Sequence, residues 1–132
     1  MTAAPAAMVL GLAFGLPAQA ESPYGCACLH NKTDRPVNFR YKWGDGEWKP
    51  DYLRSGYQET LCWRFASGSN STPKLSFQID VDLSGGTAWT TFNLPLVQSQ
   101  TNRCESVSTK FHYDINYKAN TNKQYLTMTH RP

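Results

Sequence analysis

The chain has 132 residues, 13 Lys and Arg against 10 Asp and Glu, and a formal net charge of +3. Its basic residues are scattered from Lys32 to Arg131 and mixed with acids, which argues against the clustered basic face of a nucleic-acid binder. The length suits one small domain that buries roughly two-thirds of its unfolded surface and gains from cross-links.

The first twenty residues carry no charge. Met8, Val9, Leu10, Leu12, Ala13, Phe14 and Leu16 make an apolar run of about ten residues, the length of a signal-peptide core and too short to span a bilayer. Ala18 and Ala20 supply small residues after Pro17, and polarity begins at Glu21, so cleavage is expected after Ala20. The stretch Met1 to Ala7 lacks the opening Lys or Arg of such a segment, which leaves the true start open. The expected organisation is a cleavable signal peptide at 1–20 and a single domain at 21–132, secreted or periplasmic, with no membrane span after cleavage.

Four cysteines follow, Cys26, Cys28, Cys62 and Cys104. An even number in an oxidising compartment predicts two disulfides. Cys26 and Cys28 stand two apart, and in an extended strand their Cα atoms are about 6.6 Å apart with parallel side chains, at the limit of a disulfide's reach. They are therefore expected to bond separately to Cys62 and Cys104.

From Cys28 onward the apolar pattern has period two, punctuated by Gly, Asn, Pro and Ser clusters. Val37, Phe39, Tyr41 and Trp43 alternate with Asn38, Arg40 and Lys42. Gly44-Asp45-Gly46 supplies a turn, and Glu47 to Lys49 starts a return that Pro50 is expected to interrupt. Gln58 to Phe65 predicts a strand with both faces covered, because Leu61, Trp63 and Phe65 share one side and Thr60, Cys62 and Arg64 the other. Leu75 to Leu83 is the clearest alternating segment, and Ser84-Gly85-Gly86 turns it into Thr87 to Leu94. Phe111 to Tyr117 and Gln124 to His130 close the chain around an Asn120 to Lys123 turn. About seven strands and no helical periodicity predict an all-β, antiparallel β-sandwich stapled by disulfides, with a small β-barrel as the alternative. Its core is expected from Val37, Phe39, Tyr41, Leu61, Leu75, Phe77, Ile79, Val81, Phe92, Phe111, Tyr113 and Ile115.

Three groups of residues carry candidate chemistry. Cys26, Cys28 and His30 share a strand face, and two thiolates with an imidazole suit copper or zinc, with Met128 and His130 as further donors. Oxidised cysteines cannot serve, so disulfides are the expected state and no cofactor is predicted. Asp80 and Asp82 share a polar face at a spacing that resembles the carboxylate pair of a glycoside hydrolase. No nucleophile elbow is present, and His30, His112 and His130 lack motif partners. Trp48 and Trp89 are the aromatics least well explained as core, followed by Tyr52, Tyr57 and Tyr24, and exposed rings of this kind stack on sugars. Asn31-Lys32-Thr33 and Asn70-Ser71-Thr72 match glycosylation acceptors. The resulting expectation is a non-enzymatic binding or structural module with a glycan or an envelope protein as partner. The alternatives are a metal-handling protein using Cys26, Cys28 and His30, or a hydrolase using Asp80 and Asp82.

Overall fold

Residues 22–132 are described by a computed structural model, and the expected signal segment at 1–20 lies outside them. The strands are β1 (Tyr24–Asn31), β2 (Val37–Trp43), β3 (Lys49–Leu53), β4 (Gln58–Arg64), β5 (Leu75–Asp80), β6 (Trp89–Thr91), β7 (Val97–Ser99), β8 (His112–Tyr117) and β9 (Leu126–His130). Two short 3₁₀ turns, Cys104–Ser106 and Thr109–Phe111, lie between β7 and β8. A five-stranded sheet runs β9-β8-β1-β4, with β7 also paired to β1, and a four-stranded sheet runs β3-β2-β5-β6. Packed face to face, they make the expected β-sandwich.

The described residues hold nine strands rather than about seven because β1 and β7 are added. β1 escapes a period-two reading because every residue after Tyr24 is buried, as befits a strand covered on both faces. β7 is only three residues long. One pairing departs from the antiparallel expectation: Cys28 to Asn31 of β1 runs parallel to β8, while Tyr24 to Cys26 runs antiparallel to β7. The chain thus leaves β7, passes along residues 100–111, and returns as β8 along the same edge of β1.

The core lies between the sheets. Ala27, Leu29, Leu61, Tyr113, Ile115 and Leu126 come from one sheet, and Val37, Phe39, Leu53, Phe77 and Ile79 from the other. Each large apolar side chain fully buried here contributes about 2–3 kcal/mol. The Phe39 and Phe77 rings meet at 5.7 Å in a tilted arrangement, the geometry that aromatic quadrupoles favour. Of the expected core, Tyr41, Leu75, Val81, Phe92 and Phe111 are partly buried and pack around the margin. Pro50 does not interrupt β3 but sits within it opposite Arg40. β3 ends its sheet, and an edge strand tolerates a residue with no N–H to donate.

A second, smaller core lies on the other face of the five-stranded sheet. Cys26, Cys28, Cys104 and Val107 are buried there, with Tyr24, Val97, Phe111 and Cys62 packed against them. Cys26 is bonded to Cys62 and Cys28 to Cys104, so the two neighbouring cysteines do part company as expected. The first bridge follows from register, since Cys26 and Cys62 are direct cross-strand partners of β1 and β4. The second ties the 3₁₀ segment over the sheet. Disulfides of this kind belong to an oxidising, extracellular or periplasmic setting. No described helix is long and apolar enough to cross a membrane.

Asn31 ends β1 and is 1% exposed. Its Nδ2 donates to the carbonyls of Arg35 at 2.7 Å and Leu53 at 2.9 Å, and its Oδ1 accepts from Thr33 N and Thr33 Oγ1. This side chain fastens the β1–β2 turn to β3. An amide so enclosed offers no acceptor nitrogen to a glycosylating enzyme in the folded protein, whereas Asn70 lies on an exposed loop.

Candidate functional site

The outer face of the four-stranded sheet gathers Trp48, Trp89 and Tyr52 of the aromatics singled out from the sequence, whereas Tyr57 lies in the turn before β4 and Tyr24 lies on β1 of the other sheet, beneath Arg64. Strand alternation sends Phe39 inward and Arg40 outward. The Arg40 guanidinium lies over both indoles, 4.7 Å from the Trp48 ring centre and 4.4 Å from that of Trp89. Lys42 adds its ammonium 5.0 Å from Trp48. Arg40 Nε donates to Gln78 Oε1 at 2.8 Å, and Gln78 Nε2 donates to Thr91 Oγ1 at 3.1 Å. These contacts run across β2, β5 and β6 and hold the cation and both rings in place. Tyr52 and Tyr57 are 51% and 58% exposed, and Arg54 lies 5.9 Å from the Tyr57 ring. The sequence named these four rings but missed the cations beside them: Arg40 reaches Trp89 through the β2, β5 and β6 ladders, and Arg54 meets Tyr57 within one turn.

Asp80 and Asp82 lie at one end of this face. Asp80 Oδ1 accepts from Asp82 N at 3.2 Å and Ala88 N at 2.9 Å, and Asp82 Oδ1 accepts from Ser84 N and Ser84 Oγ. The Ser84 hydroxyl holds the Asp82 carboxyl below its usual range. Both carboxylates therefore brace the β5–β6 hairpin. Gly86 belongs to the same brace, since a Cβ there would come within 2.7 Å of Asp82 Oδ2. The two aspartates also line an open cleft of about 340 Å³ with Arg35, Pro36, Asn38 and Leu83. Asp80 is the register partner of Trp89, and Asn38 that of Tyr52, so cleft and aromatic face are continuous.

The cysteine–histidine corner is assembled differently from the sequence reading. Cys26, Cys28 and His30 share the outer face of β1, but both cysteines are oxidised. His130 pairs with Tyr113 and Met128 with Ile115, so both follow the inward-facing register of β8, and His130 packs 6.4 Å from the Tyr113 ring. The histidine that does arrive is His112, the parallel-register partner of Cys28. His30 Nε2 lies 2.8 Å from His112 Nδ1 and 3.2 Å from Cys28 Sγ, and the two imidazoles stack at 5.0 Å. His112 Nε2 lies 2.8 Å from the Val107 carbonyl. A carbonyl only accepts, so Nε2 carries a proton and Nδ1 is the nitrogen turned toward His30. Burial, reinforced by Arg131 and His112, lowers the His30 pKa to about 4, which keeps this imidazole neutral.

A carboxylate pair the sequence reading missed lies where β3 meets β4. Glu59 is pushed up to about 7, first by burial and then by the hydrogen bond and charge of Asp51. Tyr41 is raised as well, by burial and by these two acids. Glu59, Tyr41, Trp43, Thr60 and Asn102 line an open cleft of about 220 Å³. Because the folded carboxyl binds its proton more tightly than the unfolded one, this group's stabilisation is complete below about pH 4.5 and is lost as pH rises through 7. Glu59→Gln is accordingly expected to unfold at higher temperature than the parent at pH 8, with the gap closing toward pH 4. Parallel melting curves at both pH values check this, and a gap independent of pH would contradict it.

No family model, curated protein or solved structure matches this chain.

Proposed function

We propose that this protein is an exported, non-enzymatic binding module that takes a glycan on the outer face of its four-stranded sheet. The observation that carries this reading is the Arg40 guanidinium lying against both Trp48 and Trp89, on a sheet face that also presents Gln78, Asn38 and Tyr52. Indole and phenol rings offer flat apolar surface to the C–H face of a sugar, while planar amide, guanidinium and carboxylate groups bond its hydroxyls. From Tyr52 on β3 to Trp89 on β6 the face spans three strand spacings, about 14 Å, which suits a short oligosaccharide. Arg40 and Lys42 among the rings favour saccharides that carry acidic groups.

A glycan array probed with the purified protein, and again with Trp48→Ala and Trp89→Ala, tests the reading. Binding to one saccharide class is expected, weakened about tenfold or more by either substitution. Silence on every glycan would remove it, as would binding that neither substitution weakens.

A further inference from the structure

We propose that reduction of the Cys28–Cys104 bridge converts the buried cysteine–histidine corner into a tetrahedral Zn²⁺ site with Cys28, Cys104, His30 and His112 as its four ligands. This proposal is independent of the glycan reading, since the corner lies on the five-stranded sheet.

Three of the four donor atoms are already gathered. Sγ of Cys28, Nε2 of His30 and one ring nitrogen of His112 lie within 4.8 Å of one another. The Cys104 sulfur is bonded to that of Cys28 but lies on the β4 side, 3.2 Å from Thr60 Oγ1, so once the bridge is open it must turn away from Thr60 to join the other three donors. Two thiolates and two imidazoles are a common ligand set of structural zinc. The tolerances are small. With Zn–S near 2.3 Å and Zn–N near 2.05 Å, tetrahedral angles place the two ring nitrogens about 3.3 Å apart and a sulfur about 3.6 Å from a nitrogen. The corresponding distances are 2.8 Å between His30 and His112 and 3.2 Å between Cys28 and His30. Opening by about half an ångström admits the ion. The two sulfurs must separate to about 3.8 Å, which side-chain rotation supplies across a Cα–Cα distance of 5.4 Å.

The surroundings also fit a ligand role. Metal-bound histidines usually donate their second ring N–H to a carbonyl or carboxylate, which aims the other nitrogen's lone pair at the ion. His112 makes that contact to Val107 and directs Nδ1 at His30. His30, only 9% exposed, finds its hydrogen-bond partners among the described residues in His112 and Cys28, which are the proposed co-ligands.

The chemistry balances with a dithiol as reductant. The dithiol gives two electrons and two protons to the S–S bond, becoming a disulfide and leaving Cys28 and Cys104 as thiols. Zn²⁺ then displaces the two thiol protons and binds both imidazoles as neutral ligands, the proton that His30 Nε2 donates to His112 in the metal-free structure moving to His30 Nδ1. The two cysteines thus staple the fold when oxidised and, with the two histidines, hold a metal when reduced.

Cobalt(II) titration of the purified chain reports the site, because tetrahedral cobalt absorbs in the visible and its thiolate bonds absorb in the ultraviolet. The chain reduced with a phosphine is expected to take one Co²⁺, displaced by one Zn²⁺, while the oxidised chain takes none. Cys26→Ala with Cys62→Ala leaves one cysteine pair and should bind equally well. His30→Ala and His112→Ala should each weaken binding about 100-fold or more. Absence of the tetrahedral signature, equal binding by the oxidised chain, histidine variants that bind like the parent, or loss of binding in the Cys26, Cys62 double variant would each overturn the proposal. A reduced chain whose sheet signal in circular dichroism collapses and does not return with Zn²⁺ would overturn it too.

Discussion

Replacing Cys28 and Cys104 together by Ala is expected to cost about 4.5 kcal/mol of unfolding free energy, more than removing the other bridge. On the chain-entropy account a bridge stabilises by restricting the unfolded chain, and more so for longer loops. Cys28 and Cys104 are 76 residues apart, whereas Cys26 and Cys62 are 36 apart. The shorter loop is worth about 3.8 kcal/mol on the same account. Geometry adds to the difference. Cys26 and Cys62 already face each other across the β1–β4 ladder, so hydrogen bonds keep their strands together without the bridge. Cys104 lies in a three-residue 3₁₀ turn outside every sheet, so losing its bridge also frees the segment that carries buried Val107, whose carbonyl holds His112. Urea titrations of the two double variants check the ranking, and a larger loss for the Cys26, Cys62 pair would contradict it. Amide exchange at residues 100–111 should accelerate in the Cys28, Cys104 variant and stay protected in the other.

Asn31→Ala is expected to destabilise by about 3–4 kcal/mol, an unusual cost for removing one polar side chain. The four hydrogen bonds of this amide serve the carbonyls of Arg35 and Leu53 and the N–H and hydroxyl of Thr33. Removing it takes the acceptor from the buried Thr33 N–H and a donor from the Leu53 carbonyl, while the Thr33 hydroxyl and the Arg35 carbonyl keep each other, and each unsatisfied buried group costs about 1–3 kcal/mol. Asn31→Asp tests the direction of the bonds: a carboxylate can accept from Thr33 but turns a second acceptor toward two carbonyls. It is expected to be no better than Ala above neutral pH. Chemical unfolding of both variants measures this, and a loss under 1 kcal/mol for Asn31→Ala would show that water reaches the site and replaces the amide.

The sequence by itself determined the features that depend on neighbours along the chain. Alternation at Val37 to Trp43 and at Leu75 to Ile79 marked strands, because a pleated chain turns successive side chains to opposite faces. The glycines between β2 and β3 and between β5 and β6 marked hairpins, and Gly44 adopts the positive φ of 57° that a side chain would resist. The i, i+2 spacing of Cys26 and Cys28 kept them from bonding to each other. It did not reveal β1 as the central strand, since burial on both faces erases the alternation that announces a strand. It also gave Asn31 no sign of burial.

Only the tertiary structure decided which side chains meet. Cys26 joins Cys62, Cys28 lies beside His112, and Arg40 lies against Trp89 because of strand register between segments tens of residues apart. A shift of one residue in any ladder would send each of these side chains to the opposite face. That register is set by the whole core choosing its inner faces at once. Local spacing therefore specified the strands, and the shared burial of Phe39, Phe77, Leu29 and Ile115 specified the two candidate sites on their outer faces.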